Sequence, residues 1–280
     1  MPTCLRETRL RANRTLLDHL GELRAEFLHA RGECASDLLL ARLGCSGGDT
    51  VLDLGCGTGA TLVKCAARAP GIALTGADLS AVMLDAARRR LRFCGLSRKI
   101  TLTPLAGGRP LPFGDATFTR VYCESVLAIQ DAGTIRALLS EICRVLAPGG
   151  VAGFNETVWN DRTRPSEIAR LNRLCHDRFG LIQSSAEFPR AADWSALFGE
   201  YPLAPLEVIR LDAAPWEPRH LRAAEVRSRI YTLAGRLRGY LKSDLARRSR
   251  FYRREVATLN TGENAVEGVL FLLRRSYESL

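Results

Sequence analysis

The chain has 280 residues, a formal net charge of +10 and nine cysteines; 46% of its residues are hydrophobic and 25% are charged. That is the composition of an ordinary globular chain of one large domain, or one domain with a cap. No run of about 18 apolar residues occurs, so no membrane span is expected. The first residues, Met1-Pro-Thr-Cys-Leu-Arg-Glu, carry no apolar signal segment, and a cytoplasmic location is the expectation. The cysteines form no CxxC pair, which argues against a metal site and for free thiols.

Residues 1–47 read as an N-terminal helical segment. Leu16, Leu20, Leu23 and Phe27 recur at helical spacing, Leu38 to Leu43 form a second cluster, and Gly44 and Gly47-Gly48 close the segment. It is either a helical layer on a sheet or a flap near a ligand. Next, Val51, Leu52 and Leu54 form the short apolar run of a strand buried on both faces. Gly55, Gly57 and Gly59 follow, and Ala60 to Ala69 read as a helix. Strand, glycine loop and helix bring backbone N–H groups close to a nucleotide-like ligand. Gly55-x-Gly57-x-x-Ala60 also fits a loose dinucleotide fingerprint. Asp53 separates the two readings. A carboxylate at the end of this strand repels a pyrophosphate, but attracts the ammonium and sulfonium of S-adenosylmethionine (SAM).

Ile72 to Asp78 read as the second strand. Asp78, nineteen positions beyond Gly59, is placed to accept the ribose hydroxyls or to cap the next helix, a task Ser80 can take instead. Met83, Leu84, Ala87 and Leu91 give that helix a buried face, with Arg88 to Arg90 mostly on its solvated side. Ile100 to Ala106 read as the third strand. The fourth, from Arg120, carries Glu124 and Ser125 at its carboxyl end, where open α/β sheets bind ligands. A helix with Ile135, Leu138, Leu139, Ile142 and Leu146 on one face follows. Pro148-Gly-Gly150 turns into a fifth strand that reaches Asn155 and Glu156.

From Asn160 the pattern is mostly helical. Ser166–Gly180 and Ala191–Phe198 look helical, Leu206–Leu211 reads as a sixth strand, and Pro215–Asn260 is Arg-rich and helical. In that last stretch Ile230, Leu233, Leu237 and Leu241 share one stripe. Gly268–Arg274 is either a seventh strand or the apolar face of a C-terminal helix.

Asp53-x-Gly55-x-Gly57-x-Gly59 resembles motif I of the class I SAM-dependent methyltransferases. Arg144-Val-Leu-Ala-Pro-Gly-Gly150 resembles that family's segment before its fifth strand. The segment Gly107 to Phe118 is similar to a third family stretch, except that glycines stand at 107 and 108, where the family's adenine-binding acid belongs. The resemblance covers roughly residues 48–160, and its small-molecule branch, with quinone- and sterol-type methyltransferases, is the one it favours.

The resemblance implies an α/β fold: a Rossmann-like, seven-stranded, doubly wound sheet with N-terminal helices and a helical cap inserted after strands five and six. It divides the chain into the segment 1–47, a SAM-binding core at 48–160, and cap elements with the last two strands at 161–280. It implies SAM as cofactor, held by Asp53, Gly55, Cys56, Gly57, Gly59, Asp78 and Leu79, by backbone groups around Ala106 and Gly107, and by Glu124. Glu124, Glu156 and His176 are the candidate catalytic residues for an in-line methyl transfer to a small-molecule acceptor. Each has a plain alternative: Glu124 caps a helix, Glu156 binds backbone amides, His176 is a surface residue. No metal is implied. A homodimer is allowed, and nucleic acid is not the expected partner. The competing classes are an RNA or protein methyltransferase using the basic surface, a non-catalytic SAM-fold partner subunit, and an NAD-dependent oxidoreductase, which Asp53 disfavours.

Overall fold

The computed structural model describes residues 16–212, 220–259 and 265–277. Two helices, α1 (Leu16–Glu22) and α2 (Gly32–Leu43), precede the alternation β1 (Thr50–Leu54), α3 (Ala60–Arg68), β2 (Ala73–Asp78), α4 (Ala81–Cys94), β3 (Ile100–Pro104), β4 (Phe118–Glu124), α5 (Ala132–Val145) and β5 (Leu146–Trp159). Then come α6 (Pro165–Phe179), α7 (Ala191–Phe198), β6 (Leu203–Arg210), α8 (Ala223–Leu241), α9 (Ser243–Leu259) and β7 (Val266–Arg275).

The strands form one seven-stranded sheet in the order β3-β2-β1-β4-β5-β7-β6. β7 runs antiparallel to both β5 and β6, and the remaining pairings are parallel. The seventh element is thus a strand. Strand order reverses between β1 and β4, which opens a crevice at their carboxyl ends. The hydrophobic centre of β1 is fully buried because both faces are covered. Ile135, Leu139 and Ile142 of α5 and Trp194 and Phe198 of α7 pack on one face. Leu39 and Leu43 of α2, Leu62 and Val63 of α3 and Leu84 and Leu91 of α4 pack on the other. Helix α2 reaches across β5 because residue 153 is glycine: a Cβ there would lie 2.5 Å from the Leu39 side chain. Pro205 is tolerated at a register shift in β6, the edge strand.

The helices inserted after strands five and six differ in position. Phe179, at the end of α6, reaches the crevice side, whereas α8 lies along α3 and α4, and α9 along α1 and α6. Arg90 departs from the expected solvated face of its helix and is fully buried. It donates to the Thr58 carbonyl (2.9 Å), Ser228 Oγ (2.7 Å), Thr232 Oγ1 (2.9 Å) and the Arg24 carbonyl (2.8 Å), tying the glycine loop to α8 and to the chain before α2. Lys64, also buried, meets Glu33 at 2.7 Å and Asp37 at 2.5 Å, and Arg68 bridges Asp37 and Glu225 of α8. A buried charge is tolerated only when paired and hydrogen-bonded. The polar face of α8 supplies part of that pairing. Among the described residues, no helix is long and apolar enough to cross a membrane.

Candidate active site

Gly55, Gly57 and Gly59 all have positive φ, the region in which a side chain is strained. A Cβ on Gly55 would strike Val126 at 2.4 Å, and one on Gly59 would crowd Ala87 at 3.1 Å. At Gly57 (φ 52°) nothing lies within 4 Å, so this residue faces open space. The loop therefore presses on its neighbours at either end and offers bare backbone in the middle. Cys56 is buried at its base.

Three carboxylates stand around the loop. Asp53 is 3% exposed, and its carboxylate accepts from the Tyr122 hydroxyl at 3.0 Å. Burial pushes its carboxyl well above the usual carboxylate range, and the charges of Glu124 and Asp78 add to the rise, against the Tyr122 bond. Asp78 closes β2 and accepts from Gly57 N and Ser80 N, each at 2.8 Å, so it spans the loop and the next turn. Burial raises its pKa, and those N–H bonds oppose the rise. Ser80 is the helix cap, accepting from Met83 N at 3.2 Å, which leaves Asp78 out of that role.

Glu124 gathers partners that no local sequence pattern announces. Ser36 Oγ lies 2.9 Å from Oε2 and Thr61 Oγ1 donates to Oε1 at 2.8 Å. Asn155 Nδ2 donates at 3.2 Å and His29 Nε2 lies 3.0 Å away. Asn155 Nδ2 also lies 2.9 Å from His29 Nδ1. His29 Nδ1 is also 3.3 Å from the Ala30 carbonyl oxygen, and Nε2 is 3.0 Å from Ser36 Oγ. The Asn155 Oδ1 atom is buried with no partner among the described residues. No Lys or Arg pairs with Asp53, Asp78 or Glu124 among the described residues.

Strand register separates the two glutamates. Glu124 lies opposite Asn155, so Asn155 shares its face and Glu156 points to the other. Glu156 is fully buried; Oε1 accepts from Val126 N (3.1 Å) and Leu127 N (3.0 Å), and Oε2 from Ala128 N (3.0 Å). Burial pushes its pKa up to about 7, while those three N–H groups pull it down. Its carboxylate holds the turn after β4, where Ser125 is left-handed (φ 55°) and Val126 abuts Gly55. Glu156 is therefore placed to position the glycine loop. His176 stands on α6 with its side chain 67% exposed, 4.0 Å from Asp177.

A cleft of about 580 Å³ opens beyond Asp78, lined by Leu17 and Asp18 of α1, Leu79 to Val82, and Phe179 to Leu181. Leu79 is 63% exposed at its mouth, and a Cβ on Gly107 would come within 3.9 Å of it. Ala106 and Gly107 are exposed beside it. The structure thus brings together the glycine loop, Asp53, Asp78 and Glu124, places Leu79 at the cleft with Gly107 near it, and leaves Glu156 beneath the site and His176 outside it. Asn155 stands beside Glu124 as its place at the end of strand five implies, whereas His29, Ser36 and Thr61 enter the site with no signal in the sequence.

A family model described as a methyltransferase domain matches residues 51–150. Demethylmenaquinone methyltransferase of Symbiobacterium thermophilum is 42% identical over 90 residues, which are 32% of this chain and 35% of that protein. Methyltransferase GfsG of Streptomyces halstedii is 37% identical over 85 residues, 30% of this chain and 29% of that protein. The chain thus matches about a third of the length of each of these relatives. Geranyl diphosphate C-methyltransferase from Streptomyces coelicolor A3(2) superposes with a TM-score of 0.59 at 20% identity, over 87% of this chain and 76% of that one. The [4+2]-cyclase SpnF superposes with a TM-score of 0.63 at 20% identity, over 90% and 88% of the two chains. At such identity the structural likeness is one of fold. The matched segment holds the glycine loop, Asp78 and Glu124, and residues 51–150 match the model of a methyltransferase domain.

Proposed function

We propose that this protein transfers a methyl group from SAM to a small-molecule acceptor. The observation that carries the proposal is the convergence of Asp53, Asp78 and Glu124 on an open glycine loop, with no Lys or Arg of the described chain to balance them. A ligand that brings positive charge and no phosphate fits such a site; a dinucleotide pyrophosphate does not. When bound, SAM supplies the methyl group on a sulfonium and the driving force of the reaction. The open backbone at Gly57, with Asp53, would receive the amino-acid end, and Asp78 the ribose. Leu79, Ala106 and Gly107 would form the walls of the adenine side, by apolar contact and backbone groups, in place of an acid.

The chain's residues would then align the acceptor and exclude water, which is the main protein task in a direct displacement. Glu124, already holding Ser36, Thr61, Asn155 and His29, suits the anchoring of a cationic or hydroxyl-bearing group better than proton abstraction. Glu156 suits the positioning of the β4 turn. The division into a core at 48–160 and added elements at 161–280 assigns the cofactor to the former. Phe179 to Leu181, which line the same cleft as Leu79, would close the adenine side from the latter. By analogy with its named relatives, a quinone-like, terpenoid or other secondary-metabolite acceptor is the class to try first.

The test is incubation of the protein and a cell extract with methyl-labelled SAM. Label in an organic-extractable product resistant to nuclease and protease supports the reading. Label in nuclease- or protease-sensitive material overturns the small-molecule assignment. SAM binding with no labelled product overturns methyl transfer, and leaves a non-methylating use of the fold, as the fold likeness to a cyclase allows.

A further inference from the structure

Helix α8 is amphipathic in the inverted sense. Its buried side is polar or small apart from Tyr231, whose ring lies under Arg24 and Arg90: Glu225, Ser228, Thr232, Gly235 and Gly239 also face inward, where Glu225 receives Arg68 while Ser228 and Thr232 receive Arg90. Gly235 allows close contact, since a Cβ there would lie 2.3 Å from the Leu23 carbonyl oxygen. The opposite side carries Val226, Ile230, Leu233, Leu237, Tyr240 and Leu241, exposed by 41, 52, 57, 55, 68 and 86%. At about 100° per residue these six fall within a sector of roughly 100°, a continuous apolar stripe. Arg229 and Arg236 border it on one edge, and Arg227 and Arg238 on the other. Arg229 pairs with Glu33, whereas Arg227, Arg236 and Arg238 form no ion pair among the described residues. The helix's single acid, Glu225, is turned inward and spent.

We propose that this outward face of α8 docks on an anionic membrane surface. An apolar stripe edged by arginines on both sides is the arrangement with which a helix lies in the plane of a lipid interface: the stripe enters the acyl boundary and the guanidinium groups meet acidic headgroups. Charge decides against a second copy of the chain. Two such stripes facing each other would set arginine edges against arginine edges, with no carboxylate of α8 to relieve them. The fold does not oppose the contact, because the buried side of α8 is held to α3 and α4 by its own hydrogen bonds. The proposal stands apart from the catalytic reading, since it involves none of the residues around the glycine loop.

The experiment is sedimentation of the full chain with vesicles of phosphatidylcholine and phosphatidylglycerol in equal parts, against pure phosphatidylcholine, at low and high salt, with light scattering of the free protein. The expected result is binding to the anionic vesicles, weakened by salt. Binding falls by about tenfold or more in Leu233→Asp/Leu237→Asp and, separately, in Arg236→Glu/Arg238→Glu. These positions are exposed, so both variants should keep the parent's melting temperature, which is measured alongside. No binding to the anionic vesicles, or binding unchanged in both variants, overturns the proposal. A dimer that the Leu233→Asp/Leu237→Asp variant dissociates assigns the face to a second copy instead. A chain lacking residues 1–15 that binds where the full chain does not shows that the face is covered from within, and also overturns it.

Discussion

Replacing Glu156 by glutamine separates a positioning carboxylate from a catalytic one. In the folded protein this carboxyl is fully buried and its pKa lies at about 7. In the unfolded chain it returns to about 4.5. The folded state therefore holds the proton more tightly. The stability this contributes is complete below pH 4.5 and is lost as pH rises through about 7. At about 1.4 kcal/mol per pH unit, the whole loss is about 3 kcal/mol. Glutamine cannot ionise, so it removes this slope. It also has its own cost. The amide oxygen can keep the Val126 and Leu127 N–H groups, but its NH2 then faces the Ala128 N–H, leaving buried donors opposed. That costs about 1–3 kcal/mol. The variant should be less stable than the parent by that amount at pH 5, and equal to it or more stable at pH 8. Urea denaturation of both proteins at several pH values reads the difference, in which the other titrating groups cancel. A difference constant to about 0.5 kcal/mol from pH 5 to pH 8 would refute the proton linkage. If the variant keeps its fold and SAM affinity but loses about 10²-fold in kcat, Glu156 is a catalytic acid or base and not a positioning residue.

Asp78→Ala removes the carboxylate that joins Gly57 N to Ser80 N and is assigned to the ribose; calorimetry should show SAM affinity reduced at least about tenfold with the fold retained. Unchanged affinity would refute the ribose assignment. Glu124→Gln turns an amide NH2 toward a shell made largely of donors, Ser36, Thr61, Asn155 and His29. It should lower binding of SAM or of the acceptor about tenfold while leaving the pH profile of turnover unchanged, and a displaced profile would make Glu124 the base.

The glycine loop was legible in the sequence because its constraint is local: alternating glycines answer to positive φ and to close approach within ten residues. The apolar run at 268–274 allows a strand or a helix face; it is part of the strand Val266–Arg275, which lies between two others and so needs an apolar run. Strand ends are harder. Asn155 and Glu156 are neighbours in β5, yet alternation sends one to Glu124 and the other to the opposite face, beneath the site. The polar shell of Glu124 is not legible because His29, just before α2, and Ser36, within it, lie some ninety positions upstream, and neither stands in a motif. Arg90 stands in a run of arginines that looks solvated; its partners are the Thr58 and Arg24 carbonyls and the inward polar face of α8, the last about 140 residues later. The same pairing explains the exposed stripe of α8: its hydrogen-bonding side is used within the fold, so its apolar side is left outward.

Calorimetric titration of SAM into the ligand-free protein, in two buffers of different ionisation heat, tests the central claim most directly. Burial raises the Asp53 pKa in the absence of ligand, and the neighbouring carboxylates add to it. A cationic ligand must draw it back down, so binding should release protons. The account predicts a single saturable SAM site with net proton release, and in Asp53→Asn an affinity reduced about tenfold or more and a smaller release. It also predicts no binding of a nicotinamide dinucleotide. Absence of SAM binding, or a dinucleotide that binds where SAM does not, would contradict it.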